Sequence, residues 1–326
     1  RFLMGFFWSS IFEMGRNVVL KRVAGLWARD LGVYRGRNNF DTMRYEWFRD
    51  PTVAHEAFLA GNYDLRLENT ARLWAQGYDT PSFRDGLFRK IEIPERRVAG
   101  MQALVMNARR KPFDDRRVRL ALNHAFDFEW SNRNLFFDAY VRTRSFFDNS
   151  ELAARGLPQG EELAILAKYR DRLPPELFTT EYNPPKTDGT GNIRDGIREA
   201  TRLLREAGWR VVDQKLVDAS GRQMAFEVLL MQSQNQFERV IAPFIANLRR
   251  LGIDARIRSV DVAQFQNRTD EFDYDMIVGG WGQSESPGNE QREYWTSSRA
   301  DQKGSRNSVG MILAFSAMYS LNRSTS

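Results

Sequence analysis

Few residues in this chain combine the types and spacing that catalysis demands. Gly282-Gln283-Ser284-Glu285-Ser286 has the outline of a nucleophile elbow, with Ser284 in the attacking place. A second glycine must close that sharp turn, and Ser286 stands there instead. The base such a serine needs is scarce too: His55 and His124 are the two histidines, and there is no cysteine. Serine hydrolysis, thiolate chemistry, disulfides and Cys- or His-rich metal sites are therefore disfavoured. Neither a Walker A sequence nor a dinucleotide fingerprint occurs. Asp114-Asp115 precedes an apolar-periodic run and reads as a helix cap rather than an acid/base pair. No enzyme, metal or cofactor is expected.

Binding is the chemistry that remains. The apolar run from Met276 to Val278 halts at Gly279-Gly280-Trp281-Gly282, and a polar loop continues to Glu290. That pattern reads as a buried strand running into a loop. Glycines let another backbone or a ligand approach closely, and an indole offers a broad apolar face with one donor. Trp281, Gly282, Gln283 and Ser284 are accordingly candidate ligand contacts. Glu68 and Asn69, closing the extended-looking stretch 64–69, and Asn107, closing the stretch 98–107, join them. Glu68 and Asn69 read equally well as caps of the next helix.

The elements that must position these residues follow from periodicity. Residues 17–22 and 43–48 read as strands. Asp50-Pro51-Thr52 is a helix start, Ala54, Ala57, Phe58 and Ala60 its buried stripe, and Gly61 its stop. His55, beside Glu56, reads as a surface residue. Residues 64–69 read as a strand, giving a strand–helix–strand unit with parallel elements, whose ligands sit at strand carboxyl ends. The strand 98–107 leads into a helix capped by Asp114 or Asp115, with Val118, Ala121, Leu122 and Ala125 inward and His124 packed or solvated. Residues 150–196, rich in Pro and Gly, form an irregular excursion. Beyond it come an amphipathic helix at 195–207 and strands 211–217 and 225–231, joined as a hairpin through Ala219-Ser220-Gly221. Helix 236–251, strand 253–260, helix 262–268 and strand 274–280 complete a second α/β unit. The stretch 100–107 reads as a hinge between two lobes.

At 326 residues, 42% hydrophobic and 28% charged, the chain has the makings of one large or two medium soluble domains. A net charge of +6 would permit nucleic-acid contact. The basic residues are mostly Arg, spread out and interleaved with Asp and Glu, so a solvated surface is expected instead. No run reaches the about 18 apolar residues of a membrane span. The opening Arg1-Phe2-Leu3-Met4-Gly5-Phe6-Phe7-Trp8 has the outline of a signal-peptide core but lacks a small-x-small cleavage site.

Several separated pieces resemble one family. Lys111-Pro112-Phe113-Asp114-Asp115-Arg116-Arg117-Val118-Arg119, followed by Ala125-Phe126-Asp127, resembles a stretch of the family 5 extracellular solute-binding proteins. These are the peptide and nickel receptors of bacterial ABC importers. Residues 64–69, 140–153, 204–209, 279–284 and 289–292 look more specifically like the YejA-type oligopeptide (microcin C) branch. The likeness runs from about Phe12 to Gly310.

The resemblance implies an α/β, periplasmic-binding-protein-like two-lobed fold of class II. It implies a monomeric periplasmic receptor that closes an interlobe cleft on an extended peptide and passes it to permease subunits in the inner membrane. Backbone hydrogen bonds, as in strand addition, would hold the peptide. An opine or a nickel complex in the same fold is the alternative, as is a truncated chain without function. Residues 12–103 would belong to the first lobe and 104–308 to the second. In peptide receptors of this kind an Asp three residues past the loop tryptophan pairs with the ligand's ammonium. Ser284 occupies that position with Glu285 next, and a neutral hydroxyl cannot make the same charge-assisted bond. Residues 1–11 and 309–326 do not resemble the family, whose members are longer. The expectation is a fragment or frame-disrupted reading frame with an incomplete first lobe.

Overall fold

The computed structural model describes residues 8–13, 16–25, 27, 29–36, 39–94, 96–307 and 311–316. Most of the signal-like opening, residues 1–7, and residues 317–326 lie outside them. The chain divides into two units, Arg1–Arg89 and Lys90–Ser326.

In the first unit, β1 (Trp8–Glu13), β2 (Asn17–Arg22) and β3 (Thr42–Glu46) form an antiparallel sheet in chain order. The helix α1 (Pro51–Leu59) starts where the Asp50 carboxylate accepts from the Thr52 and Val53 amides at 2.6 and 3.1 Å. A π-helical turn, Leu73–Gly77, and the short α2 (Pro81–Arg84) follow.

Two expectations fail in this unit. Residues 64–69 enter no ladder among the described residues, so the strand–helix–strand unit is absent there and the meander takes its place. Their alternation points the apolar set outward, with Leu65 and Leu67 78% and 87% exposed. Arg66 and Glu68 turn inward onto Tyr78. His55 is buried rather than superficial, at 5% exposure. Its ring meets Tyr78 edge-on at 4.9 Å, and its Nε2 lies 3.0 Å from the Gly77 carbonyl.

The second unit runs through β4 (Met101–Asn107), α3 (Arg116–His124), α4 (Phe128–Leu135), α5 (Gly160–Ala167) and α6 (Arg194–Glu206). Then come β5 (Arg210–Val212), β6 (Lys215–Val217), β7 (Ala225–Met231), α7 (Glu238–Arg250) and β8 (Asp254–Val260). Last are α8 (Val262–Asp270), β9 (Met276–Trp281), α9 (Glu290–Trp295) and β10 (Met311–Ser316). Five strands form one mixed sheet in the order β10-β4-β9-β7-β8. β7 is parallel to β8 and β9, and β4 is antiparallel to β9 and β10. Parallel neighbours need a crossover, which α7 supplies between β7 and β8.

The expected hairpin between 211–217 and 225–231 shrinks to one antiparallel bridge, Val217↔Gln223, across the turn. The hairpin that forms joins β5 to β6 through Asp213 and Gln214, both at positive φ (48° and 62°), while β7 enters the large sheet. Both faces of that sheet are covered, which explains the nearly unbroken burial of β4. Met101, Ala103 and Val105 join Leu229, Ile277, Tyr274 and Trp281 in one cluster. The alternate residues Leu104, Met106, Val228 and Leu230 are buried on the opposite face. Asp115 caps α3 by accepting from the Arg117 amide at 2.8 Å, and Val118, Ala121, Leu122 and Ala125 are wholly buried.

Candidate functional site

The last turn of β9 is built by close backbone packing. A Cβ on Gly279 would stand 2.7 Å from Val105 Cγ2, and one on Gly100 would stand 2.7 Å from the Trp281 carbonyl oxygen. Glycine at both places lets β4 and β9 keep their register through Met101↔Trp281. The other edge of β9 is different. Its pairing with β7 covers Met276 and Ile277 and goes no further. From Val278 onward that edge has no ladder partner among the described residues, and Gly280 is exposed.

Trp281 is 3% exposed. Its ring meets Phe146 edge-on at 5.7 Å within the cluster described above. The same Phe146 ring meets Trp295 of α9 edge-on at 4.6 Å, and Trp295 is 37% exposed. The indole that borders solvent in this group is thus Trp295, one helix further on.

The loop between β9 and α9 carries a directed hydrogen-bond relay. Trp295 Nε1 donates to Gln291 Oε1 at 2.8 Å, and Gln291 Nε2 donates to Gln283 Oε1 at 2.5 Å. An indole N–H can only donate, so it fixes the orientation of both amides. Gln283 Nε2 is what the relay leaves over, a buried donor without a partner. Such a donor is costly, and an acceptor that displaces its cover relieves the cost. Gly282 is exposed and its carbonyl lies 3.5 Å from the Tyr294 hydroxyl. Ser284 Oγ donates to the Ser286 carbonyl at 2.7 Å, which organises the loop from within. The Glu290 carboxylate accepts from the Gly288 amide at 2.7 Å, and backbone bonding of this kind holds it below its ordinary range.

The remaining candidates serve their own surroundings. Glu68 Oε1 accepts from the Thr70 amide at 2.9 Å, the capping role, while Oε2 takes the Tyr78 hydroxyl at 2.7 Å and Arg66 Nε at 3.0 Å. Burial alone would raise its pKa, but those three donors prevail and hold the carboxyl below its ordinary value. Burial, and then the hydrogen bond to and charge of Glu68, push the Tyr78 phenol well up, with Arg66 pulling the other way. Asn69 is exposed beside it. Asn107 is wholly buried. Its Nδ2 donates to the Phe272 and Tyr274 carbonyls at 2.9 Å each, and its Oδ1 accepts from the Arg109 amide at 3.2 Å. It braces the entry to β9 and has no amide hydrogen to spare for a ligand. Glu68 and Asn69 lie in the first unit; Asn107 and residues 281–284 lie in the second.

Phe146, Gln291, Tyr294 and Trp295 were not among the sequence candidates. The Gln291/Trp295 spacing of four residues, just after Asn289-Glu290, is a helical neighbour signal that points to them. Among the described residues no group of three or more His, Asp or Glu side chains is placed to hold a metal ion. No helix there is long and apolar enough to cross a membrane.

The sequence pattern of the bacterial extracellular solute-binding proteins, family 5 Middle, matches residues 5–303. The chain belongs to this family. It is 43% identical over 300 residues to the Probable peptide-binding protein YejA of Agrobacterium fabrum, covering 91% of this chain and 48% of that protein. The chain spans about half the length of the curated relatives it matches. Its fold matches the oligopeptide-binding protein AppA of Bacillus subtilis, solved with a nonapeptide, with a TM-score of 0.62 at 18% identity over 91% of this chain and 50% of AppA. It also matches NikZ of Campylobacter jejuni, solved with Ni(L-His), with a TM-score of 0.63 at 17% identity over 90% and 49%. The α/β fold is therefore that of the family 5 solute-binding proteins, a family that binds solutes for ABC importers rather than transforming them.

Proposed function

We propose that this chain supplies part of an oligopeptide receptor of a bacterial ABC importer, working in the periplasm as a monomer and delivering its ligand to inner-membrane permease subunits. The carrying observation is the 43% identity to a protein named for peptide binding, sustained over 91% of this chain. In this reading the first unit belongs to one lobe and the second to the other, so that the boundary falls before β4 rather than between residues 103 and 104. The edge of β9 beyond Ile277, unpaired among the described residues, supports main-chain recognition, because a peptide laid along it would complete a ladder. Gly282 and Gln283 extend that edge with polar groups, and Trp295 offers the neighbouring aromatic surface. Ser284 is uncharged and gives its hydrogen to Ser286, so the backbone rather than the ligand's ammonium is the principal anchor at this loop. Trp281 acts by fixing the floor of the site.

Native mass spectrometry of the purified protein, followed by calorimetry with a pool of tri- to hexapeptides, tests this reading. Co-purifying peptide and heat with the pool are expected, and Gln283→Leu should weaken the binding. A protein that carries only a nickel complex or another small solute, and gives no heat with any peptide pool, overturns it.

A further inference from the structure

Helices α4 and α7, with the segment preceding α6, border a cavity of ≈ 270 Å³ that uses no residue of the β9 loop. Phe126, Trp130, Pro243 and Phe244 give it apolar walls, and Asp127, Ser131 and Asn247 its polar lining. Gly191 stands against the Trp130 ring, where a Cβ would come within 3.2 Å of the indole.

The polar lining is rich in spare acceptors. Asp127 is 6% exposed. Its Oδ1 caps α4 through the Trp130 amide at 3.0 Å and accepts from Thr187 Oγ1 at 2.5 Å. Its Oδ2 is buried with no hydrogen-bond partner. Ser131 gives its hydrogen to the Asp127 carbonyl at 2.8 Å and keeps its lone pairs. Asn247 Nδ2 donates to the Ala125 carbonyl at 3.0 Å, which leaves its Oδ1 and one amide hydrogen. The Trp130 indole N–H is the other donor of the lining, and it is neutral.

Asp127 and Glu129 both bear on Thr187, whose hydroxyl lies 3.2 Å from Glu129 Oε2. Arg142, 7% exposed, lies over the Phe126 ring at 6.0 Å and offsets part of the charge of both carboxylates, while its hydrogen bonds go to Asn123 Oδ1 and the Pro185 carbonyl. Arg133 is exposed and donates to the Gly189 carbonyl, so water screens it. A buried carboxylate is poorly screened and acts across the cavity as a field favouring cations. Aromatic faces favour cations for a second reason, their ring quadrupoles.

We propose that this cavity binds a small organic ammonium ion. Its apolar body lies against Phe126, Trp130 and Phe244, and its N–H groups meet the acceptors of Ser131 and Asn247 in the field of Asp127. The site is separate from the β9 loop and does not rest on the peptide reading.

Calorimetry of the full chain with benzylammonium chloride, set against benzyl alcohol of nearly the same shape, tests it. Benzylammonium should bind at least about tenfold more tightly, the scale of one charge-assisted interaction. Asp127→Asn keeps a competent helix cap and should bring the two affinities together. Ala246→Trp, at an exposed lining position, should abolish both with an unchanged thermal melt. Equal affinities in the unmodified chain, no binding at all, or an Asp127→Asn variant that keeps the preference overturns the proposal. If Asp127→Asn does not fold, undiminished benzylammonium binding by Ala246→Trp overturns it alone.

Discussion

Replacing Trp281 with alanine removes an indole that is 3% exposed and locked against Phe146 at 5.7 Å. A buried aromatic of this class withdraws roughly 200 Å² from water. At about 25 cal/mol per Å² that gives an upper bound near 5 kcal/mol. Aromatic-to-alanine changes in cores cost about 3–5 kcal/mol once partial collapse of the cavity is included. The loss should appear as weakened protection of β4 and β9, because Trp281 pairs with Met101 at their junction. Hydrogen-exchange mass spectrometry on peptides covering 101–107 and 276–281 reads it directly, with protection falling by roughly two to three and a half powers of ten. Trp295→Ala is the control. That ring is 37% exposed, so its removal should cost no more than about 1–2 kcal/mol. If Trp281→Ala costs under about 1 kcal/mol, or less than Trp295→Ala, the indole is not part of the core and the assignment of the two tryptophans is reversed.

Other consequences are equally direct. Gly196→Ala in α6 would gain about 1 kcal/mol of helix propensity. The new Cβ would, however, stand 2.4 Å from the His124 carbonyl oxygen, a backbone atom that no rotamer change can move. A net loss of about 1–3 kcal/mol is expected, read as a lower melting temperature. Glu68 predicts a pH dependence: its carboxyl is held below the ordinary 4.5, so the unfolded chain takes up the proton first as pH falls. Its contribution is complete above that value and is lost as pH falls through the folded pKa. Urea titrations across the acid range should show Glu68→Gln with a flatter profile than the unmodified chain. Asn107→Leu should leave the Phe272 and Tyr274 carbonyls and the Arg109 amide unmet. At about 1–3 kcal/mol for each buried group, a loss of about 3 kcal/mol or more is expected in a denaturant melt.

What could be read from the sequence is what local chemistry determines. Asp50 and Asp115 announce their helices because a short acceptor before an apolar-periodic run has few other uses. The strands at 225–231 and 254–260 announce themselves as short apolar or alternating runs bounded by turns and a helix. Pairing is less legible, since period two says that a strand could form and not that a neighbour exists. Residues 64–69 alternate well, but Leu65 and Leu67 face outward and no strand lies alongside among the described residues. The β5–β6 hairpin hid because Asp213 and Gln214 carry the positive φ that glycine usually takes. The turn at Ser220-Gly221 was easy to see, yet it leads from one sheet into another. His55 was misread because a charged neighbour marks a surface helix face only when nothing packs there, and Tyr78 does.

The glycine–tryptophan pattern of the candidate loop has a reading in packing as well as in binding. Glycines around a tryptophan say that something comes close, and they cannot say what. At Gly279 the approaching atom is Val105 Cγ2, and at Gly100 it is the Trp281 carbonyl, so protein takes up much of the room the missing side chains leave. The indole of Trp281 is buried as a result, and the surface role passes to Trp295 through their shared neighbour Phe146. Polar function moves in the same direction along the chain. A tryptophan that can only donate fixes Gln291, Gln291 fixes Gln283, and the amide left over sits next to the exposed Gly282. In the proposed reading, recognition at this loop would rest on a side chain fourteen residues beyond Trp281, placed by one turn of α9 that composition alone does not mark.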